Sequence, residues 1–164
     1  MIERILALAD IGASGIEEPQ VYLREGDAMF REGNVDIDDA LAHPEKISDE
    51  QLKEFYRQRL LSWFKIQADF AERVGELALQ YFRDVSPDKK VTEAIQNTVR
   101  SLFHFTEQSV DTARQRYERL SVATFEEIAR DIEKQKQKRE KWSSDNNTEM
   151  LNRERQRLKG RISS

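Results

Sequence analysis

From Leu52 to Phe82 apolar residues return at helical spacing on two separate tracks. The first holds Leu52, Phe55, Tyr56, Trp63, Ile66, Phe70, Val74, Leu77 and Tyr81, which share one stripe of an α-helix. The second, about 120° further round at 100° per residue, holds Leu61, Phe64, Ala68, Ala71, Gly75, Ala78, Leu79 and Phe82. One stripe asks for one neighbour and two ask for two, so this run is predicted to be the central helix of a bundle. Ala68, Ala71, Gly75 and Ala78 also form a row of small residues that lets another backbone come close. Inside the molecule such a row is close packing; at a surface it is a docking groove.

Local signals set the ends of this helix and of the one after it. Ser48-Asp49-Glu50-Gln51 reads as a capping box, which places the start at Ser48, and no proline follows before Asp84. Ser86 then reads as an N-cap with Pro87 in the first helical position. Beyond it Val91, Ile95, Val99, Leu102, Thr106, Val110, Ala113, Tyr117 and Leu120 make a stripe facing the first helix, with Phe103 widening it and Phe105 on its shoulder. A link this short makes the two runs antiparallel neighbours. At Thr124 and Glu127 a second capping box marks either a bend or a run-through, followed by Phe125, Ile128 and Ile132. From Glu133 to Lys141 the chain is charged or amide-bearing.

The N-terminal third is built of shorter pieces. Residues 2–11 pattern as an amphipathic helix with Ile2, Ile5, Leu6 and Ala9 on one side, stopped by Gly12 and Gly15. Alone it is too short to persist in water, so it is expected to dock on the second track, or else on a membrane surface or partner. Pro19 opens another helix through Glu32, weakened at Gly26 by ~1 kcal/mol and ended by Gly33-Asn34. The stretch from Asn34 to Glu45 matches a calcium loop in part: Asn34, Asp36, Asp38 and Glu45 take ligand positions. Asp39 stands where the turn wants glycine, and Pro44 where a helix should be running. It reads instead as an acidic loop in which Asp36 or Asp38 caps a turn over Asp39–Ala42.

The fold class that follows is all-α: an antiparallel hairpin of long helices over 48–84 and 86–142, extended to a three- or four-helix bundle by the N-terminal helices. Residues 1–142 form one domain. A polar linker, Ser143 to Thr148, leads to a basic tail carrying Arg153, Arg155, Arg157, Lys159 and Arg161.

Composition narrows the function. The chain of 164 residues is 38% hydrophobic and 35% charged, enough for one domain with long exposed helical faces. No apolar run approaches the ~20 residues of a membrane span, and the first ten residues are too short and too acidic for a secretory signal. A cytoplasmic protein is expected. Cysteine is absent and only His43 and His104 occur, which removes disulfides, thiolate zinc and histidine-rich iron or zinc sites. His104 falls nearly opposite the core stripe and reads as a surface residue. The six glycines are dispersed and form no phosphate loop. Carboxylate pairs abound, but no spacing marks one out for acid–base work.

Charge is distributed unevenly. Residues 1–50 carry thirteen acidic and four basic side chains, whereas residues 131–164 carry six and ten. Such a gradient can close the chain on itself, steer a partner or drive association. The sequence therefore points to a non-enzymatic binding module, an adaptor, scaffold or assembly subunit without cofactor or metal. Its candidate contact residues are Trp63, Phe64, Phe103 and Phe105 with the tail residues Arg153, Arg155, Arg157, Lys159 and Arg161, because aromatics and arginine dominate interface energetics. The partner is another protein, a second copy of the chain included. The alternative is a nucleic-acid backbone bound through the basic residues of 134–161, though no helix-turn-helix or zinc signature accompanies them. Further readings are a carboxylate enzyme, a calcium switch at 34–45, and adsorption to a lipid or polymer surface.

Overall fold

The computed structural model describes residues 13–83, 86–141 and 144, and among these every regular element is helical. In order they are α1 (Ala13–Ile16), α2 (Pro19–Gly33), α3 (Val35–Ala42), a 3-10 turn (Pro44–Lys46), α4 (Glu50–Tyr81), α5 (Lys89–Leu102) and α6 (Thr106–Ser121). A last helix, α7, covers 125–141. No helix among the described residues is long and apolar enough to cross a membrane. The segment 2–11 and the tail from 145 onward, both assigned roles by the sequence, lie outside the described residues.

Helix α4 runs 32 residues, and its cap is Asp49 rather than the expected Ser48. The Asp49 carboxylate accepts from the amides of Gln51 at 2.8 Å and Leu52 at 3.2 Å. A carboxylate prevails over a hydroxyl there because its charge meets the positive end of the peptide dipoles. The same substitution of roles occurs at α5, which Asp88 caps through the Lys90 amide at 2.9 Å. Ser86 Oγ instead accepts from the Asp88 amide, and Pro87 falls in the preceding turn.

The second long run is three helices, not one. Residues 103–105 form a turn in which the Phe105 amide donates to the Gly15 carbonyl at 3.0 Å, while Phe103 packs beside Ala78, Phe82 and Val99. At Thr124 the expected box forms in both directions: the Thr124 amide donates to Glu127 Oε2 at 2.8 Å and the Glu127 amide to Thr124 Oγ1 at 3.2 Å. Nor is the stretch after Asn34 a loop with a short turn, since α3 starts four residues before the expected Asp39. Its carboxylates Asp36 and Asp38 serve as ion-pair partners of Arg59 and Arg31.

The second track of α4 is the buried one. Leu61, Phe64, Ala68, Ala71, Ala78 and Phe82 are all shielded from water, and α6 is the chief neighbour of α4. A Cβ built on Gly75 would lie 2.5 Å from Thr106 Cγ2, so α4 and α6 meet where that side chain is missing. The small-residue row is thus packing inside the molecule. Helix α2 covers the adjoining edge, with the Tyr22 hydroxyl donating to the Gln67 carbonyl at 2.7 Å and Phe30 5.3 Å from Trp63 between ring centres. The largest apolar cluster joins Ile37 and Leu41 of α3, Leu60 and Phe64 of α4, Leu120 of α6, and Phe125, Ile128 and Ile132 of α7.

Candidate functional site

With its second track under α6 and one edge under α2, α4 turns the rest of its first track outward. Val74 is buried and Tyr56, Trp63, Leu77 and Tyr81 are half-buried, but Phe55, Ile66 and Phe70 remain 56%, 54% and 41% exposed. From Phe55 to Phe70 this row spans about 22 Å at 1.5 Å per residue. Arg59 lies within it, its guanidinium 5.5 Å from the Phe55 ring centre and held by Asp36 and Asn34. The charges beside Ile66 are different. Lys65, Asp69 and Arg73 form no ion pair with another described residue, whereas Lys53, Arg57, Arg59 and Glu72 of the same helix are each paired.

The aromatic residues singled out by sequence do not meet at one place. Trp63 is half-buried against Phe30, and Phe64 faces the core with the Arg116 guanidinium 4.5 Å above its ring. Phe103 and Phe105 sit at the α5–α6 turn, the Phe105 ring tilted against the exposed His104 with ring centres 4.0 Å apart. Arg153, Arg155, Arg157, Lys159 and Arg161 lie outside the described residues. Of the other basic block, Lys134, Lys136, Lys138 and Lys141 are exposed on α7, while Arg139 pairs with Glu25 at 3.0 Å. The exposed row on α4 was missed as a site, although the sequence carried a sign of it. Arg59 falls within about 20° of the centre of the first track at 100° per residue, and a stripe with a charge in its middle is a poor core stripe.

Behind the row, the interior holds a charged node. Arg116, 6% exposed, grips Asp27 with two bonds of 2.9 and 2.7 Å and donates to Asp131 at 3.2 Å; Asp131 also accepts from Arg119 at 2.8 Å. Burial pushes the Asp27 carboxyl above its ordinary range, against the pull of the Arg116 guanidinium. Arg31 pairs with Asp38 and, at 2.7 Å, with Glu133. Three helices, α2, α6 and α7, are thereby tied through one point. A cavity of about 300 Å³ opens beside it, lined by both signs of charge, among them Arg24, Arg31, Lys136, Asp27 and Asp38. Several of these already answer one another.

No group of three metal-ligating side chains occurs among the described residues. The side chains of the former calcium candidate are engaged elsewhere, Asn34 Nδ2 donating to the Phe30 carbonyl at 2.7 Å and Asp36 and Asp38 accepting from arginines. Burial raises the Tyr22 phenol to about 12, but its hydroxyl is committed to the Gln67 carbonyl. The described outer side of α4 is a mixed apolar and charged helical face. No family model, no curated protein and no solved structure matches the chain.

Proposed function

We propose that the chain is a non-enzymatic helical protein-binding module, an adaptor, scaffold or assembly subunit whose contact surface is the outer face of α4. The carrying observation is the row Phe55, Ile66 and Phe70, three large apolar side chains exposed along one helix face. Large apolar side chains left exposed on one helix face together with charge are what interaction sites present. Covering Ile66 and Phe70 fully would gain ~1.5–3 kcal/mol for each side chain, less whatever each already buries. In this reading α2, α4, α6 and α7 act as a four-helix bundle that holds the face rigid, so little entropy is lost on contact. A lipid surface suits the face less well, because Asp69 sits among its bases and the opposite side of α4 is locked in the core.

Photo-crosslinking tests the reading. Full-length chain carrying benzoylphenylalanine in place of Phe70 should give protein adducts in the cells that express it, and Ile66→Asp should reduce them severalfold. The same probe in place of the exposed Gln115 on α6 should give few. Position 70 yielding no more adduct than position 115 would remove α4 as the contact surface.

A further inference from the structure

We infer that the partner on this face is a second copy of the chain, laid antiparallel about a twofold axis through Ile66. This rests on the reading that the face binds protein and adds which protein it binds. About that axis, residues whose numbers sum to 132 oppose one another. Ile66 then meets the partner's Ile66, Phe55 meets the partner's Leu77, and Phe70 comes level with the partner's Ser62. Exposed apolar groups at both ends of the row are covered together.

Charge is what selects this axis. In an antiparallel pair like flank faces like flank, and Lys65 and Asp69 lie on the same flank of the row, two residues out of register with one another, or about 3 Å. Lys65 therefore reaches the partner's Asp69, and Asp69 the partner's Lys65. Arg73 comes level with the partner's Arg59, whose charge is held by the exposed carboxylate of Asp36, an acceptor with lone pairs left for a second guanidinium. Lys65, Asp69 and Arg73, which form no ion pair with another described residue, each find one about a single axis. A random face would not be expected to be self-complementary in this way.

The chain's own ends fit the face poorly. Residues 142–164 would add Arg153, Arg155, Arg157, Lys159 and Arg161 to a surface that already carries Arg59, Lys65 and Arg73 against Asp69. Residues 1–12 join the described chain at Ala13, which packs in the cluster of Ala68, Ala71, Val110 and Ala113, on the far side of α4 from Ile66. The contact from Phe55 to Leu77 is about 33 Å long at 1.5 Å per residue. One helix pair of that length sits at the small end of specific interfaces, so micromolar association is expected.

Sedimentation velocity on the full chain at about 100 μM, where a micromolar complex is filled, should give twice the 19.3 kDa protomer mass. Ile66→Asp places two carboxylates on the axis and should give the protomer alone. Lys65→Glu should weaken the dimer by about tenfold, and adding Asp69→Lys should restore it; both positions are exposed, so neither change threatens the fold. A protomer at every concentration overturns the inference, while adducts from position 70 to a different protein would leave the binding face standing. Adducts from position 70 to residues 1–12 or 142–164 of the same molecule overturn both. A dimer that ignores Ile66→Asp, or a charge swap that does not restore association, overturns this axis.

Discussion

Two interior polar side chains, Tyr22 and Arg116, respond to change in opposite ways. The Tyr22 hydroxyl gives its proton to the Gln67 carbonyl, and burial lifts the phenol from an ordinary 10.0 to about 12. Because the folded value lies above the unfolded one, the stabilisation is whole below about pH 10 and is lost as the pH climbs to about 12. Tyr22→Phe should cost about 1 kcal/mol at neutral pH and should flatten the Tyr22 part of the alkaline slope, as read by urea unfolding at pH 7 and pH 11. The Arg116–Asp27 pair is costlier to keep than to replace. Arg116→Met alone leaves the buried Asp27 carboxylate without its bidentate counter-charge and should lose roughly 3–5 kcal/mol. The double change Asp27→Leu with Arg116→Met removes both desolvation costs, so its unfolding midpoint should return close to that of the parent chain or pass it. A double variant as weak as Arg116→Met alone would show that the node stabilises the fold outright.

Among the elements, periodicity revealed the helices and hid one of their breaks. The spacing Val99, Leu102, Thr106, Val110 continues through the 103–105 turn, so nothing in the pattern separates α5 from α6. The turn exists because Gly15, remote in sequence, accepts the Phe105 amide and leaves room for the Phe103 ring. Caps were displaced by one or two residues because aspartate beside serine takes the amides. The exposed row was legible as apolar track but not as surface, since which of two tracks is covered depends on which neighbour arrives. Gly75 is the residue that decides it. An added methyl would lie 2.5 Å from Thr106 Cγ2, so Gly75→Ala should destabilise by about 1–3 kcal/mol despite a better helix propensity. Thr106→Ala in the same chain should recover part of the loss. At Gly33, where a Cβ would meet nothing within 4 Å and φ is not positive, the same substitution should stabilise by about 0.4–1 kcal/mol. Thermal or urea melts of the three variants decide it, and equal effects at Gly33 and Gly75 would mean the helices do not rely on that gap.

At the scale of the whole molecule, carboxylates of the acidic N-terminal third pair with arginines of later helices. The acidic N-terminal third sends Glu25 to Arg139, Asp27 to Arg116 and Asp36 to Arg59, fastening α2 and the start of α3 to the helices that follow. The start of α7 is fastened from α4 by Lys53 to Glu126 at 2.7 Å. These contacts hold carboxyls below their ordinary values: Asp36 through its hydrogen bond from Arg59, Glu54 through Gln58, and Glu126 through Lys53. A depressed carboxyl stabilises the fold above its unfolded value, and that stabilisation drains away as the pH falls through the folded one. Asp27 runs the other way, its raised carboxyl favouring the fold at low pH and costing stability as the pH rises through the folded value. Three depressed groups against one raised group should make acid unfavourable, so the urea midpoint should fall from pH 5 to pH 2.5. Asp36→Asn and Glu126→Gln should each be less stable than the parent at pH 5, by a margin that narrows as the pH falls to 2.5. Sodium chloride at 1 M, where screening acts beyond about 3 Å, should weaken these exposed pairs at neutral pH and leave the Asp27–Arg116 contact intact. Hydrogen exchange then separates the two ends of the argument, because amides at the start of α7 should open first in acid while those around Asp27 and Arg116 stay protected; simultaneous opening would mean the surface pairs carry none of the attachment.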